Sequence, residues 1–248
     1  GKMGLTIEEA AETKAITITK TTLLLNNEFV TATFGGNSSI TIPAGERVVS
    51  DEIKCAVKAK SIFFVSFYLG NYTQMRSMVY ASGPLSTGIY AMGDMTNEKD
   101  IPIDISRNTN NFYFLSNVSV LTEETNRCIV CYGDSITAQD WPNYLALRCR
   151  EEGYDHTSII RRATSGSRIL REYNNITYES YGLKGTNRFE HEVPTDGADT
   201  VIIQQGINDI IHPVGVEINP FRPMSDMPTL EELIDGMKYY ISKARSYG

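Results

Sequence analysis

The pattern of apolar residues changes once along this chain, near residue 121. Up to that point apolar residues come in short alternating runs, the period-two signature of half-buried strands. The runs are Ala15-Ile16-Thr17-Ile18-Thr19, Phe29-Val30-Thr31-Ala32-Thr33-Phe34, Ser39-Ile40-Thr41-Ile42, Ile62-Phe63-Phe64-Val65-Ser66-Phe67-Tyr68 and Phe112-Tyr113-Phe114-Leu115. Gly35-Gly36-Asn37, Pro43-Ala44-Gly45, Gly70-Asn71 and Ser82-Gly83-Pro84 separate them with turn chemistry. Many short strands at such spacing predict an all-β sandwich or jelly roll. From about residue 122 the order becomes strand, turn, helix, which predicts an α/β domain with a parallel sheet. Two domains are therefore expected, 1–121 and 122–248.

In the second half, strand-like runs lie at Cys128–Tyr132, Ser158–Ile160 and Thr200–Gln205. The last is β-branched and nearly continuous, as strands buried on both faces are. A helix is expected from about Trp141 to Glu152, and a mixed stretch from Ile169 to Asp199. The chain closes on a helix whose start, Thr229-Leu230-Glu231-Glu232, has capping-box spacing. Helical spacing assigns its apolar face to Leu230, Leu233, Ile234, Met237 and Ile241.

Bulk properties narrow the function classes. The chain has 248 residues and a formal net charge of −7, with no run of Lys or Arg. Nucleic acid and anionic membrane surfaces are thus not expected partners. No apolar stretch approaches the roughly 20 residues of a membrane span. Cys128 and Cys131 form a C-x-x-C inside an apparent strand, where residues three apart point to opposite faces. With Cys55 and Cys149 far away, no second pair completes a zinc site, and buried free thiols are expected. No metal and no organic cofactor is implied. Gly1 is not a start methionine, so localisation stays open.

In open α/β sheets, chemistry gathers beyond the carboxyl ends of the strands. The first such end carries Gly133-Asp134-Ser135, which places Ser135 near a helix N-terminus and its free N–H groups. The second carries Ala163-Thr164-Ser165-Gly166, where a glycine lets the backbone approach a ligand. The third carries Gly206-Ile207-Asn208-Asp209, with an amide donor on Asn208. A serine oxygen, two backbone N–H groups (Ser135 and Gly166) and a side-chain amide compose a nucleophile beside an oxyanion hole. Each tripeptide alone is usually just a turn. In order, each behind a strand, they form a constellation.

On these residues the chain resembles the SGNH, or GDSL-type, serine hydrolases. The first block is matched by Gly133-Asp134-Ser135-Ile136-Thr137, the glycine block by Thr164-Ser165-Gly166-Ser167-Arg168, and the asparagine block by Gly206-Ile207-Asn208-Asp209. The resemblance implies a flavodoxin-like sheet over 127–248, Ser135 as catalytic nucleophile, and Gly166 with Asn208 in the oxyanion hole. Asp134 and Asp209 fall in supporting positions. Arg168 is a candidate substrate contact, with an ion pair beside the pocket as the alternative. More loosely, Phe34-Gly35-Gly36, Thr41-Ile42-Pro43-Ala44-Gly45 and Ser50-Asp51 look like the β domain of a bacterial, often secreted branch. The reaction implied is ester hydrolysis, first of a carbohydrate (acetyl) ester in a small molecule or polysaccharide. A lipase or lysophospholipase-type acylhydrolase is second, and an inactive carbohydrate-binding relic is the competing class.

One block departs from the pattern. The family's late D-x-x-H, which supplies acid and base, has no match near the end of this chain. Asp209-Ile210-Ile211-His212 spells it, but His212 would leave the same strand end as Asn208, and Pro213 suggests an extended loop. His156 and His191 read as surface polarity, the latter within the solvated run Phe189-Glu190-His191-Glu192. The expectation is thus an incomplete copy of a larger hydrolase, inactive or impaired by itself. Tyr173, Tyr178 and Tyr181 are candidates for a sugar platform, with ordinary loop packing the plainer reading. Sequons at Asn37, Asn71, Asn117 and Asn175 matter only in a eukaryotic secretory pathway.

Overall fold

Asn26 and Asn27 both take positive φ, 51° and 72°, the geometry that closes a two-residue hairpin. The hairpin joins strands Lys20–Leu25 and Glu28–Ala32, and Lys20–Leu25 pairs on its other side with Phe63–Tyr68. The computed structural model describes residues 14–74, 78–172, 181–215 and 222–248, and the backbone alone for Lys2–Glu8. The chain divides into two units, Gly1–Val79 with Thr87–Glu123, and Tyr80–Ser86 with Glu124–Gly248.

In the first unit the pairings are antiparallel. Ile16–Ile18 pairs with Ile40–Ile42, and Lys2–Glu8 lies between Leu115–Val120 and Arg47–Val49. Period-two burial is plain in Ile16–Ile18, where both isoleucines are buried and Thr17 is exposed. Ile16, Ile18, Phe34 and Ile42 make one apolar cluster; Leu23, Leu25, Ala32 and Ile53 make another. Asp51 staples the Gly35-Gly36 turn, accepting from both backbone N–H groups at 2.9 and 2.8 Å and from Thr33 Oγ1 at 2.6 Å. Those donors, Thr33 foremost, hold its carboxyl below the usual carboxylate range.

The second unit is a parallel sheet with helices. Strand Arg127–Gly133 lies in the middle, between Thr157–Ala163 and Ala198–Gln204. Helix α1 spans Ser135–Ala138, α2 Trp141–Glu151, α3 Gly185–Glu192, α4 Ile207–Val214 and α5 Leu230–Ser246. The core joins Val130, Tyr132, Ile169, Phe189, Val193 and Tyr240. Phe189 and Tyr240 stack with centroids 4.7 Å apart, and Tyr132 meets both rings edge-on. Cys128 and Cys131 are buried free thiols, and burial pushes Cys131 up to about 12.

Three expectations are corrected here. The mixed stretch contains α3, and its supposedly solvated run buries Phe189 completely, while His191 does stay exposed. His212 and Pro213 lie in α4, not in an extended loop. Pro213 can donate no i→i−4 hydrogen bond, and the helix stops at the next residue, Val214, with Gly215 at φ 88° as its C-cap. The α5 capping box forms as expected, and Leu233 and Met237 pack on the core as expected, but the rest of the packed face is rotated. Leu230, Ile234 and Ile241 are exposed, whereas Gly236 and Tyr240 are buried. Tyr240 goes inward because its hydroxyl finds Gln205 Oε1 at 2.7 Å. Gly236 lets the helix approach, since a methyl there would meet Ile169 Cγ2 at 2.7 Å. Among the described residues no helix is long and apolar enough to cross a membrane.

Candidate active site

Gly133 pairs with Ala163 on one side and with Gln204 on the other. The three expected blocks therefore leave the sheet at one level, all at the carboxyl end. Gly133 itself cannot carry a side chain. A Cβ there would lie 2.2 Å from the Gln204 carbonyl oxygen and 2.3 Å from Thr137 Oγ1. The tight turn is closed by Thr137, whose hydroxyl donates to Gln204 Oε1 at 2.9 Å.

Asp134 caps α1 by accepting from the Ile136 N–H at 3.0 Å, and it is wholly buried. Burial raises its carboxyl above the usual value, against the opposing pull of the Ile136 and Gly206 N–H groups. Ser135 follows as the first helical residue and is partly exposed. Its hydroxyl has no hydrogen-bond partner among the described residues. With only four residues, α1 contributes little macrodipole, so the anion-favouring groups near Ser135 are the local N–H donors themselves.

Gly166 has φ 77° and is buried. The Tyr181 ring packs directly on it, and a Cβ at Gly166 would sit 2.2 Å from Tyr181 Cδ1. The same ring stacks on His212, with centroids 5.7 Å apart. Tyr181 is thus a packing element; Tyr173, Tyr178 and Asn175 lie outside the described residues. The carbonyl of Ser167 accepts from Asn208 Nδ2 at 3.0 Å, which couples the glycine turn to α4. Asn208 is 3% exposed.

Asp209 commits both carboxylate oxygens to the backbone, accepting from Ile169 N at 2.8 Å and Leu170 N at 3.3 Å. It anchors the segment that follows the glycine turn, although burial pushes its pKa up. His212, one turn along α4, is 4% exposed. Burial, then the charge of Arg168, lower it to about 4, so the imidazole is neutral at pH 7 and a weak base. Arg168 borders a cavity that Arg171, Lys184, Arg222 and Asp226 also line. It is 2% exposed and pairs with Asp226, while Nη2 donates to the Glu172 carbonyl at 3.2 Å. Its contacts fit the ion-pair alternative. Asp226, despite burial, is held below the usual carboxylate range by Arg168 and Arg222.

Sequence reasoning missed Arg161, Arg188 and Gln205. Arg161 Nη1 donates to the carbonyls of Ser82 and Ala138 at 2.8 and 3.3 Å, and to that of Gln139, closing the end of α1. Arg188 and Gln205 both reach the Ser167 hydroxyl. Arg161 lies in strand Thr157–Ala163 and Arg188 in α3, and a single inward-facing polar residue in an element leaves no periodic signal. Among the described residues no group of three or more His, Cys, Asp or Glu converges as a metal site would require.

No family model and no curated protein matches the chain. Among solved structures it is similar to a carbohydrate esterase family 2 enzyme with a carbohydrate binding domain from Corynascus thermopiles (Myceliophthora fergusii). The identity is 14%, the TM-score 0.34, and the match covers 100% of this chain and 66% of that one. It is also similar to a family two carbohydrate esterase from Clostridium thermocellum, at 14% identity and a TM-score of 0.29, over 99% of this chain and 64% of the other. The chain thus spans less than two thirds of the length of these structures.

Proposed function

We propose that the protein is a serine esterase that forms an acyl-enzyme on Ser135, with Gly166, Asn208 and the Ser135 N–H as oxyanion donors. The observation that carries this reading is the register of the parallel sheet. Gly133, Ala163 and Gln204 pair side by side, so serine, glycine and asparagine blocks emerge at one level from three neighbouring strands. A partly exposed serine with no competing hydrogen bond among the described residues suits a nucleophile. Asp134 and Asp209 hold the turns by accepting backbone N–H groups rather than by moving protons.

The finer architecture in this reading is a flavodoxin-like SGNH hydrolase domain over 122–248 behind a β-sandwich or jelly-roll domain over 1–121. The substrate class proposed is an ester on a carbohydrate, acetylated polysaccharide first. None of the three histidines is assigned as the base. His156 Nδ1 pairs with Asn126 Oδ1 at 2.8 Å, His191 is exposed on α3, and His212 is buried and weakly basic.

The test is hydrolysis of p-nitrophenyl acetate by the whole protein beside Ser135→Ala. A loss of about 10³-fold or more supports the nucleophile. Equal turnover by the two proteins sinks it. Labelling of Ser135 by a fluorophosphonate excludes the relic reading.

A further inference from the structure

Ser167 directly follows Gly166, and a buried polar network of the second unit converges on it. Its hydroxyl oxygen accepts twice, from Arg188 Nη1 at 2.9 Å and from Gln205 Nε2 at 3.0 Å. Its carbonyl accepts from Asn208 Nδ2 at 3.0 Å. Ser167 is 1% exposed, Arg188 5% and Gln205 8%.

Both donors are themselves fixed from behind. Arg188 Nε and Nη2 fork onto Glu192 at 2.9 and 2.7 Å. Gln205 Oε1 accepts from Tyr240 Oη at 2.7 Å, which turns its NH₂ toward Ser167. A hydroxyl with both lone pairs engaged cannot rotate freely. The glycine turn is thereby gripped by side chain and carbonyl together.

Core stability does not account for this arrangement. Replacing a buried ion pair by packed apolar residues is often neutral or stabilising. What such a network supplies is a single geometry, because each member has only one satisfied arrangement.

We propose that Gln205 and Arg188 are positioning residues for the oxyanion turn, acting through the Ser167 hydroxyl. They keep the Gly166 N–H and the Asn208 amide in one fixed relation, the preorganisation that oxyanion stabilisation needs. This rests on the esterase reading of the site.

The test uses the whole protein carrying Gln205→Leu or Arg188→Met, with Thr229→Ala as control. Thr229 Oγ1 accepts from the Glu232 N–H at 3.1 Å at the start of α5, so its loss weakens the same unit without touching Ser167 or its donors. Both positioning variants should lose about tenfold to a hundredfold in kcat on p-nitrophenyl acetate, with KM unchanged. Ser135 labelling by a fluorophosphonate should slow in parallel, and Thr229→Ala should leave both rates unchanged. Amide hydrogen exchange at Gly166 and Ser167 should accelerate in the two variants but stay constant in strand Arg127–Gly133. Unchanged exchange at Gly166 overturns the proposal. So does unchanged kcat in a folded variant of an active parent. A parent that neither turns over ester nor labels removes the esterase reading, and the exchange measurement then decides the positioning claim alone.

Discussion

Asn208 Nδ2 donates to the Ser167 carbonyl at 3.0 Å, so the side chain proposed as an oxyanion donor also ties down the turn that presents the other donor. One amide group thus has two duties, because an NH₂ offers two protons. Asn208→Ala should therefore cost more than a lone donor does. The expected loss in kcat on p-nitrophenyl acetate is about 10²–10³-fold or somewhat greater, with a smaller effect on KM. Urea unfolding should show a separate loss of about 1–3 kcal/mol from the orphaned Ser167 carbonyl.

Gly133→Ala tests the closeness of the first block to its neighbours. The added methyl would overlap the Gln204 carbonyl, which is backbone and cannot swing away. A destabilisation of about 3 kcal/mol is expected. Thermal unfolding checks it, and an unchanged midpoint would contradict the packing described.

His212 gives a signed pH dependence. Its folded pKa of about 4 lies below the ordinary 6.5, so the unfolded chain binds the proton more readily between those values. Its contribution is complete above pH 6.5 and is lost as pH falls toward 4, on the order of 2–3 kcal/mol. Denaturant titrations at pH 7.5 and 4.5 measure the drop. His212→Gln should flatten that part of the profile, and an equal drop in the variant would assign the effect elsewhere.

Arg168→Met separates ion pair from substrate contact. Loss of a buried guanidinium leaves Asp226 with Arg171 and Arg222 still beside it, and stability should fall by about 1–3 kcal/mol. KM for p-nitrophenyl acetate in the folded fraction should be unchanged. A tenfold rise in KM at unchanged stability would make Arg168 a substrate contact after all.

What the sequence made legible was local. The three parallel strands, α2 and the α5 capping box each rest on a contiguous signal, and each lies within a few residues of its expected place. Lys20–Leu25 was missed because three consecutive leucines hide the alternation. Helix α3 was missed because its charged residues face both ways, with Arg188 buried and Glu190 exposed. The rotated face of α5 could not be read from hydropathy, since a tyrosine buries only when an acceptor such as Gln205 awaits it. The nucleophile and its two partners were legible as blocks, whereas the network behind Ser167 joins residues 21 and 38 positions apart.

The side-by-side pairing of Gly133, Ala163 and Gln204 also sets how this protein can vary. Deleting one residue within any of the three strands would lower its loop by about 3.3 Å and turn its side chains to the opposite face. Insertions after the blocks, in contrast, leave the strand ends where they are. Length is therefore free in the connections and rigidly counted in the sheet, so descendants of this chain can remodel what surrounds Ser135 without re-aiming it.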